Sequence, residues 1–171
     1  GAIKIHMVLD HDGYLPVFLN VTEGNVHEIN VARMLDFDEG SIIAIDRGYT
    51  DYKLFADWTR KNVYFVTRQK ENANYSIVEE YEVPERGNII SDRLIRLEGF
   101  YSQENCPYYL RRIEVWSEEK QDVITLLTNQ LKFGPTTISK IYKERWQIEI
   151  FFKTIKQNLK IKTFVGTSKN A

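Results

Sequence analysis

The sequence predicts an α/β domain interrupted by a β-rich segment, and three observations predict it. Residues 1–67 alternate short apolar runs with amphipathic stretches in the order strand, strand, helix, strand, helix, strand, the pattern of a layered α/β core. From residue 69 the character changes: "IVEEYEV", "NIISDRLIRLEG", "YYLRRIEVW" and "DVITLLTN" are separated by polar turns and read as strands. Beyond residue 131 one long helical pattern takes over. The expected organisation is therefore a core in two parts, 1–68 and 132–171, with a β-rich insertion over 69–131.

Each element has a local reason. "IKIHMVL" (3–9) and "LPVFLNV" (15–21) are strand-like runs joined by "DHDGY", whose Asp12-Gly13 step favours a hairpin. Turn chemistry accounts for Asp10, His11 and Asp12 without a metal, and His6 reads as a strand residue. Asn25 is placed to cap a helix whose apolar side is Ile29, Ala32, Met34 and Leu35. The run Ile42 to Ile45 is apolar throughout, as in a strand covered on both faces. Asp46 ends it, Gly48 opens a turn, and "DYKLFADWTRK" reads as a helix leading to a buried strand, "VYFVT". Pro135 stands where a first-turn proline starts the last helix.

Composition narrows the function class. At 43% hydrophobic and 27% charged, the 171 residues suit one domain with a sizeable core, and no apolar run approaches the length of a membrane span. One cysteine, Cys106, excludes an internal disulfide and any multi-cysteine zinc site, and it reads as a loop thiol beside Pro107. The net charge of −1 hides an asymmetry: residues 132–171 hold nine Lys or Arg against Glu144 and Glu149. A cationic tail on an acidic body suits a phosphate-binding surface confined to one region, and equally a solvated basic helix.

The stretch "YKERWQIEIFFKTIK" (142–156) sharpens that choice. At about 100° per residue, Tyr142, Arg145, Glu149 and Lys156 fall within one stripe about 60° wide. Ile141, Ile148, Phe152, Ile155 and Leu159 form a neighbouring apolar stripe, so the charged groups flank a buried seam. Taken singly, Asp46 is a turn former and Glu149 belongs to an i,i+4 ladder with Arg145 and Lys153. Together, a strand-end Asp and a helix Glu resemble two members of a carboxylate cluster for divalent metal.

The spacing Tyr142-x2-Arg145-x3-Glu149-x6-Lys156 resembles the Tyr-Arg-Glu-Lys signature of DDE transposases of bacterial insertion sequences, the insertion-sequence-four family. "IIAIDRGY" resembles the strand and turn that carry this family's second catalytic Asp, here Asp46. "LLTN" and "IKTFVGTSKNA" are similar as well, and the resemblance spans essentially the whole chain. It implies a ribonuclease-H-like fold and a bacterial cytoplasmic, nucleoid-associated enzyme that dimerises on paired DNA ends. The implied reaction is metal-dependent cleavage of transposon-end phosphodiester bonds, then attack of the 3′-hydroxyl on target DNA. By the same resemblance Asp46 and Glu149 are catalytic metal ligands for Mg²⁺ or Mn²⁺, two ions in the complete enzyme. Tyr142, Arg145 and Lys156 then contact transposon-end DNA.

Two departures accompany the resemblance. The family's first catalytic Asp belongs to a strand upstream of "AIKIHMVL", so these 171 residues alone are expected to be inactive. Some relatives stack a flipped base on an aromatic just before the "LLT" strand, where this chain has Ile124-Thr125. Trp116 could serve from the preceding strand, but a core or sheet-face role explains it better. Two other readings stay open: a non-catalytic DNA-binding remnant, and a structural α/β module.

Overall fold

The computed structural model of the chain describes residues 3–9, 16–23, 30 and 32–145. Strands β1 (Ile3–Leu9) and β2 (Pro16–Glu23) pair antiparallel, from Ile3 opposite Glu23 to Leu9 opposite Pro16, with an irregularity between Val8 and Leu9. The predicted hairpin tip, with Asp10, His11 and Asp12, lies outside the described residues, as does Asn25.

The remaining strands form one six-stranded sheet. In chain order they are β3 (Ile42–Ile45), β4 (Tyr64–Arg68), β5 (Tyr75–Glu80), β6 (Ile89–Leu97), β7 (Tyr109–Ser117) and β8 (Asp122–Thr128). Their order across the sheet is β3-β4-β8-β7-β6-β5. β3 and β4 run parallel, from Ile42 opposite Tyr64 to Ile45 opposite Thr67, and every other pairing is antiparallel. The architecture is thus mixed α/β. The strands after residue 69 join the parallel pair without a break, because β8 docks on β4 and the Gln69 N–H donates to the Thr125 carbonyl.

Helix α1 (Tyr52–Arg60) makes the crossover between the parallel strands. The Asp51 carboxylate caps it, accepting from the N–H groups of Lys53 and Leu54 at 2.9 and 3.2 Å. At the other end Asn62 adopts a left-handed φ of 54°, and the Val63 N–H returns to the Trp58 carbonyl at 2.9 Å. This Schellman closure turns the chain directly into β4. The buried side of α1 carries Leu54, Phe55, Ala56 and Trp58, and Phe55 stacks on Phe65 of β4 with ring centroids 3.9 Å apart.

The sheet has a core on each face. Phe65, Leu127, Leu110, Ile95 and Leu97 pack toward α1, together with Cys106. Val66, Leu126, Ile113, Val115 and Ile89 pack on the other face against Ile138 and Tyr142 of α3, residues 135–145. That helix begins at Pro135, as its sequence predicts.

One expectation needs correction, and two details lie beyond the sequence's predictions. Ile42–Ile45 is half-buried along its length, because β3 ends the six-stranded sheet instead of sitting inside it. Cys106 is fully buried: residues Phe100–Asn105 form a short helix, α2, whose C-cap is Cys106, and the chain turns the thiol inward. Burial also raises the thiol pKa. Finally, α2 is too short and too polar to show a helical period in the sequence.

The "LLTN" segment acquires a structural role. β8 stops at Thr128, leaving the start of β4 without a strand on that side. The Asn129 side chain takes over: its Oδ1 accepts from the Phe65 N–H, and its Nδ2 donates to the Val63 carbonyl and to Thr59 Oγ1, each at 2.9 Å. One amide satisfies a strand start and the last turn of α1 together.

Candidate active site

The parallel pair sets the location. In open α/β sheets, groups at the carboxyl ends of parallel strands project beyond the hydrogen-bonded ladder into an open crevice. Asp46 follows the last residue of β3, and its extended backbone (φ −69°, ψ 152°) continues the strand's alternation. It therefore shares a face with Ile42, which packs against the cluster containing Tyr142. One carboxylate oxygen, Oδ1, accepts from the Gly48 N–H at 2.8 Å and so starts the single 3-10 turn Arg47–Tyr49. The turn-forming reading of Asp46 is satisfied by Oδ1, and Oδ2 faces Arg145. A Cβ added at Gly48 would sit 3.2 Å from Oδ1, so glycine leaves the carboxylate its room.

From the other side comes α3. Ile138 and Tyr142, four residues apart on one helix face, anchor it in the core. Tyr142 is only 7% exposed, with its hydroxyl accepting from Arg145 Nη2 at 3.2 Å. The Arg145 guanidinium lies 4.9 Å from the Tyr142 ring centroid, and Nη2 lies 3.9 Å from Asp46 Oδ2. The Arg145 side chain is 11% exposed and that of Asp46 47%. A nearly buried cation thus neighbours an open carboxylate, an arrangement suited to a bound polyanion whose charge both Arg145 and a carboxylate-held cation could neutralise.

The described residues thus bring together Asp46, Tyr142 and Arg145. Glu149 and Lys156, the other two members of the helical stripe, lie outside the described residues.

One further residue escapes the sequence reading. Arg68 is the last residue of β4, and it follows Thr67 as Asp46 follows Ile45, the final parallel pair. Two residues after Val66, it falls on the face where Val66 packs with Tyr142. Its guanidinium has no hydrogen-bond or ion-pair partner among the described residues. Only the strand register brings it level with Asp46, which is why a helix-based search passes it by.

A model of the transposase DDE domain family matches residues 1–171, the whole chain. The chain belongs to the transposase DDE domain family. Among its relatives, a putative transposase, y4zB, of Sinorhizobium fredii is 34% identical over 174 residues, covering 99% of this chain and 48% of the relative. A probable transposase for insertion sequence element IS5377 of Geobacillus stearothermophilus is 25% identical, over 100% of this chain and 45% of its own length. A putative transposase for insertion sequence element IS4SA of Synechocystis is also 25% identical, covering 91% and 43%. The chain spans a little under half the length of the curated relatives it matches.

Enzymes of the DDE family generally depend on divalent metal, so the donor set of this transposase domain can be tested against one. Asp46 offers hard carboxylate oxygen, the donor that Mg²⁺ and Mn²⁺ prefer. Among the described residues no group of three or more His, Cys, Asp or Glu converges. Asp46 thus fits such an ion in donor type. No helix among the described residues is long and apolar enough to cross a membrane.

Proposed function

We propose that this chain is part of a DNA transposase of the insertion-sequence-four type, with a ribonuclease-H-like core that cuts phosphodiester bonds at transposon ends and joins the freed 3′-hydroxyl to target DNA. The observation that carries the reading is the meeting of Asp46 with Tyr142 and Arg145 at the carboxyl end of β3, in a chain matched throughout by the transposase DDE domain family.

In this reading Asp46 and Glu149 are the catalytic carboxylates and would hold divalent metal, Mg²⁺ or Mn²⁺. When bound, two such ions would activate the attacking oxygen and stabilise the leaving one. Arg145 and Lys156 neutralise and position the DNA phosphates, Arg145 through a forked contact and Lys156 as a point charge. Tyr142 holds the Arg145 guanidinium and offers DNA only its hydroxyl edge, since its ring is buried. Arg68, one residue past the pair that precedes Asp46, would contact a neighbouring phosphate. The strands over 69–131 are an insertion into this core, and the full-length protein works as a homodimer on paired ends.

Taken alone, these 171 residues contribute two of the family's three carboxylates, and we expect them to bind DNA without cutting it. The test compares the purified chain with a longer one that includes a preceding strand ending in Asp. Each is incubated with Mg²⁺ or Mn²⁺ and a duplex carrying the element's ends. Cleavage by the longer chain alone, abolished by Asp46→Asn and by Glu149→Gln, supports the reading. Absence of cleavage by both, with DNA binding retained, would favour a non-catalytic DNA-binding protein.

A further inference from the structure

The site depends on where α3 sits, and its anchorage at the N-terminal end is unusual. Arg111 on β7 and Asp92 on β6 form a buried ion pair, 5% and 2% exposed. The contact is two-pronged: Arg111 Nε donates to Asp92 Oδ1 at 2.7 Å, and Nη2 donates to Oδ2. The third donor, Nη1, leaves the sheet and donates to the Phe133 carbonyl, two residues before α3 begins. The Tyr81 ring lies against the guanidinium, 5.4 Å from its centroid.

A buried ion pair is a poor stabiliser, because desolvating both charges offsets their attraction. Here the pair holds a charged fork fixed in space, and the fork grips a backbone carbonyl outside the sheet. The gripped residue precedes the helix whose side chains, Tyr142 and Arg145, must reach Asp46. Two helical turns separate Pro135 from Tyr142, so a shift at the helix start carries through to the guanidinium with little damping.

We infer that Arg111, oriented by Asp92, is a positioning residue: it sets α3 along its axis so that Arg145 arrives beside Asp46. The inference rests on the proposed DNA-cleaving site, in which Arg145 contacts phosphate. The pair acts through Arg145 and touches no substrate itself.

The test uses the paired substitution Asp92→Leu with Arg111→Met. It removes both charges together and so leaves no buried ion stranded, a replacement that other proteins often accept at little cost in stability. Urea unfolding checks that the variant is folded. Amide hydrogen exchange over residues 135–145 should then quicken about tenfold relative to the native chain, while β7 and β8 stay protected. Unchanged exchange over 135–145 would overturn the inference.

A double-mutant cycle with Arg145→Ala supplies the functional readout. For a duplex DNA probe, the paired variant should lose about as much affinity and salt dependence as Arg145→Ala, and combining them should add nothing further. Additive losses would show that the pair supports the fold without acting through Arg145. If the native chain itself fails to bind the duplex, the DNA-cleaving reading fails, and the exchange result alone decides whether Arg111 positions the helix.

Discussion

Arg145 Nη2 lies 3.9 Å from Asp46 Oδ2, an ion-pair distance too long for a hydrogen bond, although Asp46 follows the edge strand β3 and Arg145 sits on α3, beyond the last strand. Neither side chain is consumed by the other. The Asp46 side chain, 47% exposed, is open to a cation, and the Arg145 side chain beside it is 11% exposed. In the proposed site and without divalent metal, Asp46 adds a negative charge, only partly offset by Arg145, where DNA would bind. Asp46→Asn should therefore raise the affinity of the chain for duplex DNA in metal-free buffer while ending cleavage in a longer, active chain. Fluorescence anisotropy in EDTA checks the first effect, and weaker binding by the variant would remove Asp46 from the DNA surface.

Arg68, Arg145 and Lys156 are proposed to meet phosphates, each releasing about one counterion. Replacing any one with Ala should reduce the slope of log affinity against log salt by about one unit. Affinity measured between about 50 and 200 mM salt, roughly a fourfold range, is enough to resolve this. A native slope from the Arg68→Ala variant would assign that residue to the fold alone.

Asn129→Ala should destabilise the chain without touching the site. It strands the Phe65 N–H and the Val63 carbonyl, both on the buried start of β4. At about 1–3 kcal/mol for each unpaired buried group, the expected loss is roughly 2 kcal/mol or more. Urea unfolding measures it, and a loss below about 0.5 kcal/mol would mean that the amide is replaceable.

Glu114 carries a pH signature. A hydrogen bond from Arg112, aided by Ser91 and the charges of Arg112 and Arg93, holds its carboxyl below the usual glutamate value against the opposing effect of burial. A depressed carboxylate stabilises the fold above the unfolded-state value of about 4.3, and that contribution is lost as pH falls through the lower folded value. Glu114→Gln should thus be less stable than the native chain at pH 7, with the gap closing in acid below about pH 4. A gap constant from pH 7 to pH 3 would separate Glu114 from the acid response.

Cys106 is fully buried, with its thiol pKa raised by desolvation. It should resist thiol-reactive dyes at neutral pH in the native chain and react promptly in denaturant. Stoichiometric labelling under native conditions would contradict this.

Much of the fold was legible because apolar runs and turn residues coincide with strand boundaries. β3 and β4 fall within a residue of their predicted places. For the candidate site, counting along one helix picks out Tyr142 and Arg145 and a strand-end position picks out Asp46, and the structure brings those three together. Arg68 was not legible, because strand register depends on a pairing the sequence does not state. The same holds for the Arg111 and Asp92 pair, whose alternating neighbours suggest an ordinary wet strand face. Cys106 follows as a loop residue beside Pro107, but its burial and the six-residue helix before it do not, since that helix shows less than two turns of pattern.

The seat of β8 between β4 and β7 also governs when the site can exist. β3, α1 and β4 are consecutive, so the unit that presents Asp46 needs only local closure. β4 gains its other neighbour after about sixty more residues have been made and folded back, and α3 follows later still. Long-range pairing of this kind is slow relative to local contacts. We predict that pulse-labelled hydrogen exchange during refolding protects α1 before residues 135–145, and the reverse order would refute it. The acidic half of the site is then the older one in every folding event: a lone carboxylate at a strand end, waiting for its arginine.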